Sequence, residues 1–99
     1  MRFVWQKEIQ QNLKVLITRL GYHQQIERRS GEISYIKRLS GSGYPRFHLY
    51  INEREDGLEF SLHLDEKKPS YQGQTAHSGQ YEGDLVMNEV ARIKSQLGS

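Results

Sequence analysis

The chain has 99 residues, 35% hydrophobic and 26% charged, with no cysteine and a formal net charge of +2. That length suits one domain, and the absence of cysteine excludes disulfides, thiolate metal sites and cysteine nucleophiles. Leu, Ile, Val and Phe number 24 of the 99 residues, above the ~20% below which a charged chain stays disordered, so folding around a thin core is expected.

The opening Met1-Arg2-Phe3-Val4-Trp5 is interrupted by Gln6, Lys7 and Glu8. It offers neither an export segment nor the ~20 apolar residues of a membrane span, so a soluble, cytoplasmic chain is expected. Gly98-Ser99 reads as a vector remnant, which leaves 1–97 as the expected single α+β domain. Charge is divided along the chain. Residues 1–48 hold nine Lys/Arg against three Asp/Glu, whereas residues 49–99 hold five against nine. The division suggests a basic face for a polyanion, or two halves that attract each other.

Trp5, Ile9, Leu13, Leu16, Ile17 and Leu20 recur at steps of three and four, and Gly21 follows. The spacing predicts a helix over about 4–20. From Tyr22 the period changes to two, with Ser30-Gly31 as a turn. A two-residue loop there places Ile26 opposite Tyr35, Tyr22 opposite Leu39 and Arg28 opposite Ile33, with the apolar members on one face.

After the flexible stretch 40–45, Phe47, Leu49 and Ile51 alternate with polar residues, as do Leu58, Phe60, Leu62 and Leu64 beyond Asp56-Gly57. This alternation is the strongest signal in the chain. A two-residue Asp56-Gly57 turn sets Leu49 opposite Leu64, Ile51 opposite Leu62, Tyr50 opposite His63, His48 opposite Asp65 and Arg54 opposite Glu59. Residues 66–83 show no periodicity and read as a long loop. Asp84 reads as an N-cap for a helix over 85–97 that buries Val86, Val90, Ile93 and Leu97. The expected architecture is α-β-β-β-β-α, a four-stranded, mostly antiparallel sheet with two helices packed on one face. The order of elements is similar to that of double-stranded-RNA-binding folds and of small RNA-cleaving toxins, a likeness of layout to which no functional residue attaches.

The polar face of the second hairpin gathers His48, Tyr50, His63 and Asp65, and the 66–83 loop could add Lys67, Lys68, Tyr71, His77 and Tyr81. Three chemistries are open to such a patch. His63 and Asp65, with His48 or His77, offer donors for a divalent metal. His48 and His63 could instead act as general base and acid beside a phosphate held by Lys67 or Arg46. In the third reading these are only the polar side chains that alternation requires on the wet side of a sheet.

Basic residues of the first half, Arg38 and Arg46 among them, interleave with tyrosines, and Tyr44 and Tyr50 are the rings placed to meet a base. The expected function is a small binding module that uses its exposed sheet face and the 66–83 loop, with an anionic polymer such as RNA favoured. A histidine-based hydrolase or phosphodiester-cleaving enzyme and a self-associating protein, such as a homodimer, are the alternatives. Phosphate-loop, dinucleotide and serine-elbow motifs are absent from the sequence.

Overall fold

A computed structural model describes residues 1–9, 11–66 and 79–98. It begins with a strand, β1 (Arg2–Trp5), where the helical stripe of the sequence predicts a helix. Trp5 fits both periods. Phe3 and Trp5 turn toward the core while Arg2 and Val4 turn away, and the Phe3 ring stacks on Phe60 at 4.8 Å. The helix starts later, as α1 (Leu13–Arg19), because Asn12 caps it by accepting a bond from the Val15 amide at 3.2 Å. An asparagine at this position satisfies one of the otherwise unpaired amides of the first turn.

The remaining elements are β2 (His23–Ile26), β3 (Ile33–Arg38), β4 (Arg46–Arg54), β5 (Gly57–Asp65) and α2 (Gly79–Leu97). The fold is α+β, and the described strands form one five-stranded antiparallel sheet of order β1-β5-β4-β3-β2, one strand more than the sequence pattern predicts. α2 also begins earlier than predicted. Residues 79–83 are helical, and Asp84 lies inside the helix instead of capping it. Gly79 and Gly83 hide this stretch from the sequence, since each lowers helix propensity by ~1 kcal/mol relative to alanine. Nothing lies within 4 Å of where a Gly83 Cβ would be.

Parity is as the alternation predicts, but both hairpin registers are shifted by two residues. In the second hairpin Glu55 and Asp56 form the turn and Arg54 faces Gly57, so His48 faces His63, Tyr50 faces Ser61 and Leu49 faces Leu62. Gly57 follows the turn because β1 crosses there. A Cβ at Gly57 would stand 2.3 Å from the Trp5 carbonyl oxygen. In the first hairpin the connection is longer than Ser30-Gly31, running over 27–32 with Glu27 and Glu32 joined by a backbone bond of 2.9 Å. Ile26 therefore faces Ile33, and at 59% and 47% exposure neither joins the core predicted for it. A shift of two leaves every side chain on its own face, which is why parity survives the wrong register.

The core lies on one side of the sheet. Leu16, Ile17 and Leu20 with Val90, Ile93 and Leu97 close over Phe47, Leu49, Phe60 and Leu62. A carboxylate, Glu89, is buried with them. Glu89 accepts from the Tyr22 hydroxyl at 2.6 Å and from Arg92 at 2.8 Å, and Arg92 also donates to the Leu20 carbonyl at 2.7 Å. This network ties α2 to the junction between α1 and β2. No helix among the described residues is long and apolar enough to cross a membrane.

Candidate functional site

The opposite face of the sheet is left free by both helices, and the ladder arranges its side chains in cross-strand rows. The end row is Arg38, Arg46 and Asp65; the next is His23, Ile36, His48 and His63. Tyr50, Ser61 and Arg2 continue the surface toward β1. Ile36 is buried in the second row with histidines as its partners on both sides. Its place on this face breaks the alternation of apolar and polar residues in β3.

Asp65 organises the row beside it. Its Oδ2 lies 2.9 Å from His48 Nδ1 and 3.4 Å from Arg46 Nε. His48 Nε2 lies 2.8 Å from the hydroxyl of Ser34. A carboxylate can only accept, so His48 donates from Nδ1, and in the neutral imidazole Nε2 is left to accept from Ser34. The side chain of His48 is 13% exposed and stacks on Tyr50, with ring centroids 4.5 Å apart. Tyr50 meets the edge of His63 at 6.1 Å. Burial raises the Tyr50 phenol above its ordinary pKa, as do the charges of Glu32, Asp65 and Glu27, so it remains a protonated donor.

His63 shares a 3.1 Å bond between its Nε2 and Ser61 Oγ. Burial lowers its pKa, and the positive charges of the Met1 ammonium and Arg2 and the neighbouring His48 act in the same direction, against Asp65. His63 is expected to titrate below the usual ~6.5 in an NMR pH series of the histidine ring protons. A midpoint at or above that value contradicts the assigned cause. The native state then binds fewer protons than the unfolded chain just below pH ~6.5, so this residue contributes stability above that value and loses it as pH falls through its folded pKa.

The sequence brings His48, His63, Tyr50 and Asp65 to one face, and the structure places all four there. Two of their relations differ from the predicted pairing. His63 rather than Asp65 stands directly opposite His48, and Asp65 reaches His48 along the diagonal. Arg46 joins this group, and its guanidinium lies 4.7 Å over the Tyr44 ring. Arg38 stands opposite Arg46. The predicted contributions of Lys67, Lys68, Tyr71 and His77 lie outside the described residues, as does the side chain of Tyr81 in the first turns of α2.

The metal reading gains nothing from this geometry, since no group of three His, Asp or Glu among the described residues is placed to hold an ion. Both ring nitrogens of His48 are already engaged. The residue that sequence reasoning passed over is Ser34. Alternation places it on the polar face, but only the β3–β4 register brings it to His48. The residues 39–45 between those strands hold two Ser-Gly pairs and a proline, which mark a connection but not a loop length from which that register could be read.

No protein-family model, no curated protein and no solved structure matches this chain.

Proposed function

We propose that the helix-free sheet face binds single-stranded RNA, with phosphates at Arg38, Arg46 and Arg2 and bases against Tyr44 and Tyr50. The observation that carries this reading is the direct cross-strand pairing of Arg38 with Arg46. Like charges facing each other destabilise a sheet. The one carboxylate in their row, Asp65, is divided between Arg46 and His48. An anion bridging the two guanidiniums would relieve the repulsion. The planar Arg46 over Tyr44 supplies a flat cationic surface on which a base can stack, and Tyr50 supplies a second ring along the same strand.

Fluorescence anisotropy of a labelled mixed-sequence 12-nucleotide RNA tests this reading. Three phosphate contacts imply that log K falls with log salt at a slope near about −2, because each contact on a single strand contributes about −0.7. Arg38→Ala and Arg46→Ala should each flatten the slope by about one such step, and Tyr50→Ala should weaken binding by about 5- to 100-fold at constant slope. Anisotropy that stays flat at low salt, or binding untouched by either arginine substitution, rejects the assignment.

The alternative of phosphodiester cleavage keeps one specific support, the exposed His63 beside this surface, whose pKa burial lowers. On that reading His63 removes a proton from the ribose 2′-hydroxyl, and His63→Ala abolishes cleavage while leaving RNA affinity in place. Cleavage that persists in His63→Ala excludes it.

A further inference from the structure

The chain Ser34 Oγ, His48 Nε2, His48 Nδ1, Asp65 Oδ2 has bonds of 2.8 and 2.9 Å and runs across three adjacent strands, β3, β4 and β5. We propose that Ser34 is an activated nucleophile that attacks acyl esters, with His48 as its general base and Asp65 as the residue that positions His48. The RNA-binding reading is not needed for this proposal.

Roles follow from the direction of each bond. Asp65 accepts from Nδ1 and so fixes the tautomer in which Nε2 carries the lone pair that faces the serine hydroxyl. Arg46 holds the same carboxylate oxygen from the other side at 3.4 Å, and the stacked Tyr50 ring limits rotation of the imidazole. A histidine aimed in this way meets the geometric requirement for activating a serine, which is hydrogen-bond reach to the hydroxyl and a third group that orients the base. Ser34 is 5% exposed and lies in the floor of the face. Its cross-strand partner on the other side is the exposed Gln25, whose side-chain amide would be the donor for the oxygen that becomes negative in the tetrahedral intermediate.

The step balances without a cofactor. Ser34 Oγ forms a bond to the ester carbonyl carbon while its proton passes to His48 Nε2. The bond from that carbon to the alcohol oxygen breaks, and the departing alkoxide takes the proton from His48. Water then adds to the acyl carbon while His48 takes its proton, the bond from that carbon to Ser34 Oγ breaks, and His48 returns the proton to Oγ, so ester and water become acid and alcohol. A fluorophosphonate follows the first half only. Its phosphorus bonds to Oγ, and fluoride leaves with the serine proton.

The experiment is labelling of the intact chain with a fluorophosphonate, followed by tryptic peptide mass spectrometry. Cleavage after Arg29 and Lys37 isolates residues 30–37, in which fragmentation separates Ser34 from Ser30 and Tyr35. The adduct is expected on Ser34. Its rate of formation should fall by about 10²-fold or more in His48→Ala, the scale of a lost general base, and also in Asp65→Asn, which keeps the shape of the side chain but reverses its demand on His48 Nδ1. Ser30→Ala should label as the parent does. Thermal melts followed by circular dichroism establish that each variant is folded; if His48→Ala is not, Asp65→Asn alone decides. An unlabelled Ser34, an adduct on Ser30 or Tyr35 instead, or labelling at the parental rate in a folded His48 or Asp65 variant overturns the proposal.

Discussion

Glu89→Ala is expected to destabilise the fold by about 2–3 kcal/mol, a large share of the ~5–15 kcal/mol of a domain this size, and to shift the urea midpoint accordingly. Removing one partner of a fully buried ion pair costs about 3–5 kcal/mol. The cost here is smaller because the side chain of Arg92 is 39% exposed and can recover water, whereas Glu89 is 6% exposed. Most of the loss comes from Tyr22, a buried hydroxyl deprived of its acceptor, and from the Leu20 carbonyl once Arg92 is no longer held against it. Burial pushes the Glu89 pKa upward, but hydrogen bonds from Arg92 and Tyr22 outweigh it and hold the carboxyl below its ordinary value. With the folded pKa depressed, the native state binds fewer protons than the unfolded chain just below the ordinary glutamate range. This stability is therefore complete above pH ~4.5 and is lost as pH falls through the folded pKa. Glu89→Gln should lose less at neutral pH than Glu89→Ala and should show a flatter melting temperature between pH 5 and pH 3 than the parent. A parental acid slope in Glu89→Gln assigns that sensitivity elsewhere.

The network at Glu89 also marks a limit of what could be read from the sequence. Val86, Val90, Ile93 and Leu97 recur at helical spacing and identify α2, and Glu89, three residues after Val86 and four before Ile93, falls on the same stripe, but the spacing does not say which group would receive a carboxylate there. Its partner, Tyr22, is 67 residues away and meets it only after folding. The candidate site divides in the same way. Alternation within β4 and β5 places His48, Tyr50, His63 and Asp65 on one face, because side-chain direction follows from parity and parity is local. Distances between strands depend on register, which the two turns misreport. Ser30-Gly31 is part of a longer connection, and Asp56-Gly57 imitates a tight turn although among the described residues only glycines have a positive φ. Ser34 is the clearest loss, since its proximity to His48 depends on how β3 meets β4. β1 escaped because Trp5 completes a helical stripe with Ile9 and Leu13 as readily as it alternates with Val4.

Gly57→Ala is expected to be the most damaging single-methyl change on the sheet, and to act on one edge of it. The added Cβ would lie 2.3 Å from the Trp5 carbonyl oxygen and 3.0 Å from Gln6 Cα, both backbone atoms with no rotamer by which to move aside. The φ of +140° adds strain for any residue with a side chain, of order 1–3 kcal/mol. β1 must move away from β5, and the stacking of Phe3 on Phe60 and the packing of Trp5 go with it. A total loss of about 3–5 kcal/mol follows, comparable with deleting a buried aromatic side chain. The effect should be local before it is global. In hydrogen exchange, the amides paired between β1 and β5 should lose protection while those between β3 and β4 keep theirs. Because Arg38, Arg46, His48 and Ser34 all lie on the retained strands, the variant should still bind RNA and still label at Ser34 below its melting temperature, with a salt slope smaller by only the contribution of Arg2. Equal loss of protection across all five strands would mean that β1 is integral to one cooperative unit instead of a separable edge.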